Sequence, residues 1–356
     1  MSRRSAGSGS VTLEDVAKVA GVSRATVSRV VNGSTTVDPA LRKVVEKAIA
    51  ATHYVPNRAA RSLVTRTTGS IALVVSEEGR GDHHGGENPP FAGRIFSDPF
   101  FGRIVSGVMQ YIRSRGVQMV LLLVDDDESR HQLLGYLRQG HVDGVVLIST
   151  HAADLLPQLL AEADVPVVLS GRPAQPTPIS YVEVDQRAGV AMAVDHLVAR
   201  GRTRLATVSG PQDTPAGRER LAAFRERLAA HGLAEVAAVE GDFTQASGAA
   251  AARELLAAAP GAGDVDGLFV ASDLMALGAL PVLYRAGRRV PEDIAVVGFD
   301  DSSAALACDP PLTTVRQPVE EMASQMANLL LQQIAAPEST LQSSMFQPTL
   351  VVRESS

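Results

Sequence analysis

The chain has 356 residues with a net charge of −6, 45% hydrophobic residues, no Trp and one cysteine, Cys308. That length bounds one to three domains with sizeable cores, and a lone cysteine excludes an internal disulfide and a Cys-rich metal site. No run of about 18 apolar residues suggests a membrane span, and residues 1–10 (MSRRSAGSGS) lack the apolar core of a signal peptide, so a cytoplasmic location and no membrane partner are expected. The charge is lopsided. Residues 1–66 carry eleven Lys/Arg and four Asp/Glu, a basic head on an acidic body, which is the footprint of a nucleic-acid-binding module joined to something else.

Residues 13–20 (LEDVAKVA) place Leu13, Val16, Ala17 and Ala20 on one helical face. Gly21 supplies a sharp turn. In residues 24–31, Val27, Val30 and Val31 form a second apolar stripe, with Ser23 ahead of it as N-cap. Arg24, Ala25, Ser28 and Arg29 lie off that stripe and face outward. Two short helices joined at a Gly turn, with small Ala17 where they cross, read as a helix-turn-helix whose second helix enters the DNA major groove. Asp38 as N-cap and Pro39 at the first helical position start a third helix, with Leu41, Val44, Val45, Ala48 and Ile49 as its apolar face. Pro56 then opens a helix of about two turns, too short to persist without a partner.

The stretches LEDVAKVAGVSRATVSRVVNG and YVPNRAARSL, followed by a β/α body, resemble the lactose-repressor family of bacterial transcription regulators. The resemblance implies base reading by Arg24, Ala25 and Arg29, with the two arginines suited to bidentate contacts to guanine. It implies phosphate contacts at Ser23, Thr26 and Asn32. The short helix becomes a hinge with minor-groove contacts at Asn57, Arg58, Ala60 and Leu63, where Leu63 is the wedge that kinks the operator centre.

From Ser70 onward, continuous apolar runs alternate with helical stretches, the pattern of parallel sheets covered on both faces. The alternation restarts at residue 180, which suggests two similar α/β lobes with a ligand cleft between them, of the periplasmic-binding-protein type. The expected organisation is a helix-turn-helix domain at 11–55 and a hinge at 56–69. The first lobe takes 70–175 and 319–346, and the second takes 176–318 and 347–356, with residues 346–353 as a strand of the second lobe. The stretch 77–99 (EEGRGDHHGGENPPFAGRIFSDP) is longer than the few residues usual at this point of the family and reads as a loop. At the carboxyl end of a parallel strand it is open to two readings, a cleft lid or an insert without structure. His83 and His84 lack a third ligand, so no metal is expected.

Candidates at the cleft are Phe100 and Phe101, of which one is expected to face the ligand, with Arg220, Phe243, Ser272, Asp300 and Gln317. The resemblance implies effector contacts at Arg220, Asp300 and Phe243; Ser272 stands where relatives often carry Asn. A carboxylate accepting hydroxyl hydrogens, an Arg fork donating to oxygens and an aromatic face suit a sugar, though a purine would also stack. Asp273 and Asp301 read as helix caps, and Phe224 as core. HVDGVVLIST, LSGRP, GPQDTPAGRERL and GDFTQASG resemble cellobiose-responsive repressors of actinobacteria, implying a β-linked glucose disaccharide.

No P-loop, nucleophile elbow or H-E-x-x-H motif occurs, so the chain is not expected to be an enzyme and no cofactor is expected beyond the effector. The leading expectation is a homodimeric repressor on double-stranded operator DNA, released by a small carbohydrate. A corepressor-dependent regulator binding a purine, and a sugar-binding module with no DNA role, are the competing readings. No heptad extension follows the last strand, which favours a dimer over a tetramer.

Overall fold

The computed structural model describes residues 11–31, 34, 36–54, 67–77, 91–149, 151–257 and 265–356. Asn32, Asn57, Arg58, Ala60 and Leu63, and with them most of the expected hinge, lie outside the described residues, as do His83 and His84. The chain divides into two compact units, residues 1–68 and 69–356.

The small unit holds α1 (Leu13–Ala20), α2 (Arg24–Val31) and α3 (Pro39–Thr52). Thr12 and Asp15 start α1 as a capping box: the Thr12 hydroxyl accepts from the Asp15 amide at 3.3 Å, and the Asp15 carboxylate accepts from the Thr12 amide at 3.0 Å. Gly21 ends α1 at φ +65°, a left-handed conformation that glycine adopts without a Cβ penalty. Asp38 caps α3 by accepting from the Ala40 amide at 2.8 Å, ahead of Pro39. Val16, Ala17, Val27, Val30, Val45 and Ala48 close the core. Val44 was expected on that face, but it is 45% exposed; Val45 and Ala48 already fill the space under α1 and α2.

The large unit begins with β1 (Ser70–Ser76), α4 (Phe91–Ser97), α5 (Pro99–Arg113), β2 (Gln118–Val124), α6 (Asp127–Arg138), β3 (Val145–Ser149), α7 (Leu156–Glu162), β4 (Val167–Ser170) and β5 (Ser180–Val184). It continues with α8 (Gln186–Ala199), β6 (Leu205–Ser209), α9 (Pro215–Ala230), β7 (Ala237–Glu240), α10 (Gln245–Ala257), β8 (Gly267–Val270), α11 (Asp273–Arg285), β9 (Ala295–Asp300), α12 (Ser303–Ala307) and β10 (Thr313–Arg316). It ends with α13 (Val319–Ala335), β11 (Ser343–Phe346) and β12 (Thr349–Val351). Two six-stranded sheets result, ordered β11-β5-β4-β3-β1-β2 and β12-β10-β9-β8-β6-β7. Every pairing is parallel except β10 with β12. Period-two alternation sends Ile71, Leu73 and Val75 into the core on one face of β1 and Ala72 and Val74 into the core on the other.

Three expectations are corrected. The first passage between lobes does not fall near residue 175. β5 pairs with β4 and β11 in the first sheet, and the chain leaves that sheet only after Val184. The Pro-rich segment 171–179 looks like a linker but only returns the chain to the same sheet, where Val182 and Val184 join the first core. Residues 346–353 are not one strand: Phe346 ends β11 in the first sheet, and β12 lies in the second. Within 77–99, residues 91–97 form α4, because Phe91 and Ile95, four apart, bury one helical face against the first core. The Gly- and Pro-rich residues before them hid that pair.

Candidate nucleic-acid interface and ligand cleft

On the small unit, Val27 and Val30 are buried, while Arg24, Ala25 and Arg29 are exposed on the opposite side of α2. The Ser23 hydroxyl accepts from the Thr26 amide at 3.1 Å and lies 2.9 Å from the Thr26 hydroxyl, which fixes the start of α2. Arg24 pairs with Glu14 at 2.9 Å, with both side chains more than half exposed. Such a pair contributes little and is readily exchanged for another anion or acceptor. The arrangement is a rigid helix offering two cationic forks and a methyl group to solvent, which suits a groove lined by base edges and phosphates.

In the large unit, a cavity of about 490 Å³ opens between the two sheets at the carboxyl ends of their strands, where open α/β sheets bind ligands. Arg220, in the second turn of α9, is the centre of its floor and only 5% exposed. Its Nε donates to Gln186 Oε1 at 2.8 Å and its Nη1 to the Ala271 carbonyl. Its guanidinium stacks 3.8 Å over the Phe299 ring, lies 5.8 Å from Phe243 and stands 3.8 Å from Asp300. Gln317 Nε2 donates to Asp300 Oδ1 at 2.6 Å. Burial pushes the Asp300 carboxyl up, with Arg220 pulling it back, and burial works against the Arg220 charge. Backbone strain collects here: Phe243, Asp300 and Asp301 hold φ of +67°, +119° and +51°. Gly210 makes room for the Phe243 ring, because a Cβ there would lie 2.3 Å from its tip.

The structure brings all seven expected cleft residues to this cavity. Phe100 and Phe101 both line it, packed edge to face at 5.5 Å, although only one was expected to. Ser272 lines it while capping α11 by accepting from the Met275 amide. Asp273 and Asp301 are not caps. Asp273 is fully buried, accepting from the Ser302 amide at 2.7 Å and the Thr314 hydroxyl at 2.5 Å. Asp301 pairs with Arg353 at 2.5 Å, and Ser302 caps α12 instead. Phe224 is core. Reading the chain by motif missed Asp98, Gln186 and His151 on the cavity wall. Asp98, the residue before Pro99, caps α5 by accepting from the Phe100 amide at 2.9 Å. Among the described residues no group of three or more His, Cys, Asp or Glu could hold a metal ion, and no helix is long and apolar enough to cross a membrane.

Residues 12–57 match the bacterial regulatory proteins of the lacI family, and residues 194–356 match the periplasmic binding protein-like domain. The chain is 48% identical over 348 residues to the HTH-type transcriptional regulator CelR of Thermobifida fusca, covering 97% of this chain and 98% of that one. It is 32% identical over 349 residues to the ribose operon repressor of Escherichia coli K12, covering 96% and 98%. It superposes on the complex of the transcriptional regulator CelR with cellobiose at a TM-score of 0.74 and 46% identity, covering 97% of this chain and 100% of that one. It also superposes on the lac repressor dimer bound to operator and the anti-inducer ONPF, at a TM-score of 0.81 and 28% identity, covering 98% and 99%. With an exposed arginine-bearing helix in one unit and a two-lobed cleft in the other, the chain belongs to the lacI family of DNA-binding regulatory proteins.

Proposed function

We propose that the chain is a homodimeric transcriptional repressor that holds a palindromic operator and releases it when cellobiose, or a closely related β-linked glucose disaccharide, fills the cleft. The observation that carries this reading is the cavity floor, where an Arg fork, a carboxylate and an amide from different elements converge beside three aromatic rings. Carboxylate and guanidinium match hydroxyl hydrogens and oxygens, and aromatic faces cover the C–H face of a pyranose. The identity to CelR supports the same choice of sugar. On the small unit, Arg24 and Arg29 read bases, Ala25 offers a methyl contact, and Ser23 and Thr26 position the helix on phosphates. Two-fold symmetry of the dimer sets two half-sites. Sugar-driven lobe closure lowers operator affinity through the segment joining the two units.

The test is a thermal-shift screen of mono- and disaccharides on the full chain, followed by fluorescence anisotropy on operator DNA. Cellobiose should raise the melting temperature by mass action and lower operator affinity. A shift with a nucleobase and none with any sugar would replace the carbohydrate reading by the corepressor one. A sugar response without any DNA binding would leave only a sugar-binding module.

A further inference from the structure

Asp300, the last residue of β9, reaches the cavity from a backbone that side-chain-bearing residues rarely adopt: its φ is +119°, and that of Asp301 is +51°. Such a turn persists only where its surroundings over-determine it. Asp273, the first residue of α11, closes on this turn from behind. Ser272 and Leu274 on either side of it line the cavity, but Asp273 does not, and it is fully buried. Its Oδ2 accepts from the Ser302 amide at 2.7 Å and its Oδ1 from the Thr314 hydroxyl of β10 at 2.5 Å. Its backbone N–H, one of the orphan donors at the start of a helix, donates to the Asp300 carboxylate and favours the charged form. One residue thus holds the turn at two points, the Asp300 side chain and the amide two residues further on. Gly298 makes room for this, because a Cβ there would lie 2.5 Å from Asp273 Oδ1.

We infer that Asp273 is the positioning residue for Asp300: without touching the ligand, it fixes the strained backbone of residues 300–302 so that the Asp300 carboxylate is presented to the cavity. The assignment rests on the role of Asp300 in the sugar site proposed above and adds to it the residue through which that carboxylate is aimed. What the role requires of Asp273 is an acceptor for the Ser302 amide, not a charge. Asp273→Asn meets the requirement, with its oxygen on the Ser302 amide and its NH₂ on the Thr314 hydroxyl, which can accept. Asp273→Leu keeps a similar volume and offers no acceptor, so the Ser302 amide loses its partner and the turn is free to relax.

The experiment is isothermal titration of the full chain with cellobiose, as wild type, Asp273→Asn and Asp273→Leu, each with and without Asp300→Asn, with thermal unfolding as the check on folding. Asp273→Leu should raise the Kd at least about ten-fold, the worth of a hydrogen bond to a charged acceptor, while Asp273→Asn stays within about three-fold of wild type. In the Asp300→Asn background both should change the Kd by less than about two-fold, because Asp273 acts only through Asp300. Thr314→Val, which removes one of the two donors to Asp273, carries the same comparison if Asp273→Leu does not fold, with an expected loss of about three-fold or more. A Kd for the folded Asp273→Leu chain within two-fold of wild type overturns the assignment. An equal loss with and without Asp300→Asn marks a general structural change and also overturns it. If Asp300→Asn alone binds cellobiose like wild type, or wild type does not bind it, the sugar reading of Asp300 falls and this assignment falls with it.

Discussion

Replacing Arg220 by Met tests the electrostatic design of the cavity floor. The side chain is 5% exposed and makes three polar contacts that Met cannot replace, with Gln186, the Ala271 carbonyl and the Asp300 carboxylate, besides its stack on the Phe299 ring. Removing one partner of a buried ion pair costs about 3–5 kcal/mol, because the other charge is left uncompensated. Asp300 keeps Gln317 as a neutral donor and already sits above its ordinary pKa, so protonation relieves part of that cost. About 3 kcal/mol is the expected net loss, which at roughly 2–4 °C per kcal/mol for a unit of this size lowers the melting temperature by on the order of 5–10 °C. Sugar affinity should fall at least about ten-fold, the worth of a charge-assisted hydrogen bond. The pair is isolated by combining Arg220→Met with Asp300→Asn. The double variant buries no unpaired charge of this pair and should melt above Arg220→Met alone, with a coupling of about 1–3 kcal/mol. Differential scanning fluorimetry with and without cellobiose reads both quantities. Strict additivity of the two substitutions, or an Arg220→Met chain that melts like wild type, would refute the argument that Arg220 is the counter-charge on which Asp300 depends.

Four further outcomes follow from the same structure. Cys308 is buried, and burial pushes its thiol up to about 12, so a thiol reagent at pH 8 should label it only after unfolding; rapid labelling of the folded chain would contradict that environment. Arg29→Ala should weaken operator binding by about 1–3 kcal/mol and relax preference at one base pair of each half-site, read by anisotropy on a panel of single-base variants; a uniform loss across the panel would make Arg29 a phosphate contact. Leu63→Ala should weaken binding to operator far more than to unrelated DNA, and equal loss on both would count against a wedge there. Asp98 binds its proton more tightly in the folded chain, at about 6, than unfolded, at 3.8. Its contribution to stability is therefore fully present below about pH 4 and is lost as pH rises through 6, by about 3 kcal/mol at most. The melting-temperature difference between wild type and Asp98→Asn should open between pH 4 and 6 and stay flat above pH 7.

The elements that could be read from sequence are those whose local signals agree. The first two helices declare themselves by apolar period, the third also by the Asp38-Pro39 start, and the turn between the first two by Gly21. The parallel strands declare themselves by unbroken runs such as Ile71–Val75. The passage between lobes was misplaced because the Gly- and Pro-rich composition of residues 171–179 marks a loop without saying which sheet the chain enters next. That depends on long-range pairing of Val168 with Ser180 and of Tyr181 with Ser343. Arg220, Phe243 and Asp300 were legible as candidates because the family pattern falls on them. Asp98 was not, because an Asp before a Pro at a helix start carries no local sign of the cavity that the fold builds around it. Asp273 was misread in the opposite way: it stands where a cap belongs, yet its partners, Ser302 and Thr314, lie 29 and 41 residues away.

A sugar in this cavity can alter DNA binding only if it prefers one arrangement of the lobes, and a switch from mostly bound to mostly released needs roughly a 10⁴-fold preference. One side chain that couples the lobes behind Asp300 and Gln317 is Arg103. From α5 of the first lobe it donates to the Asp300 carbonyl at 2.8 Å and to the Gln317 carbonyl at 3.0 Å, while Glu320 holds it through both carboxylate oxygens at 2.7 and 2.8 Å. Asp300 and Gln317 thus line the cavity while their backbone carbonyls meet the first lobe through Arg103. Gly107 lets α5 lie so close to α13 that a Cβ would meet the Glu320 carbonyl at 2.3 Å, so Arg103 and Glu320 are carried on two helices locked together. Under the proposed function, a ligand that tightens Asp300 would pull on a rigid pair of helices rather than on a loose loop. On the sugar reading proposed above, Arg103→Met should therefore reduce the response of operator affinity to cellobiose, read by anisotropy with and without the sugar, even where the unliganded affinity is unchanged; an undiminished response would show that the coupling of the lobes does not run through this contact.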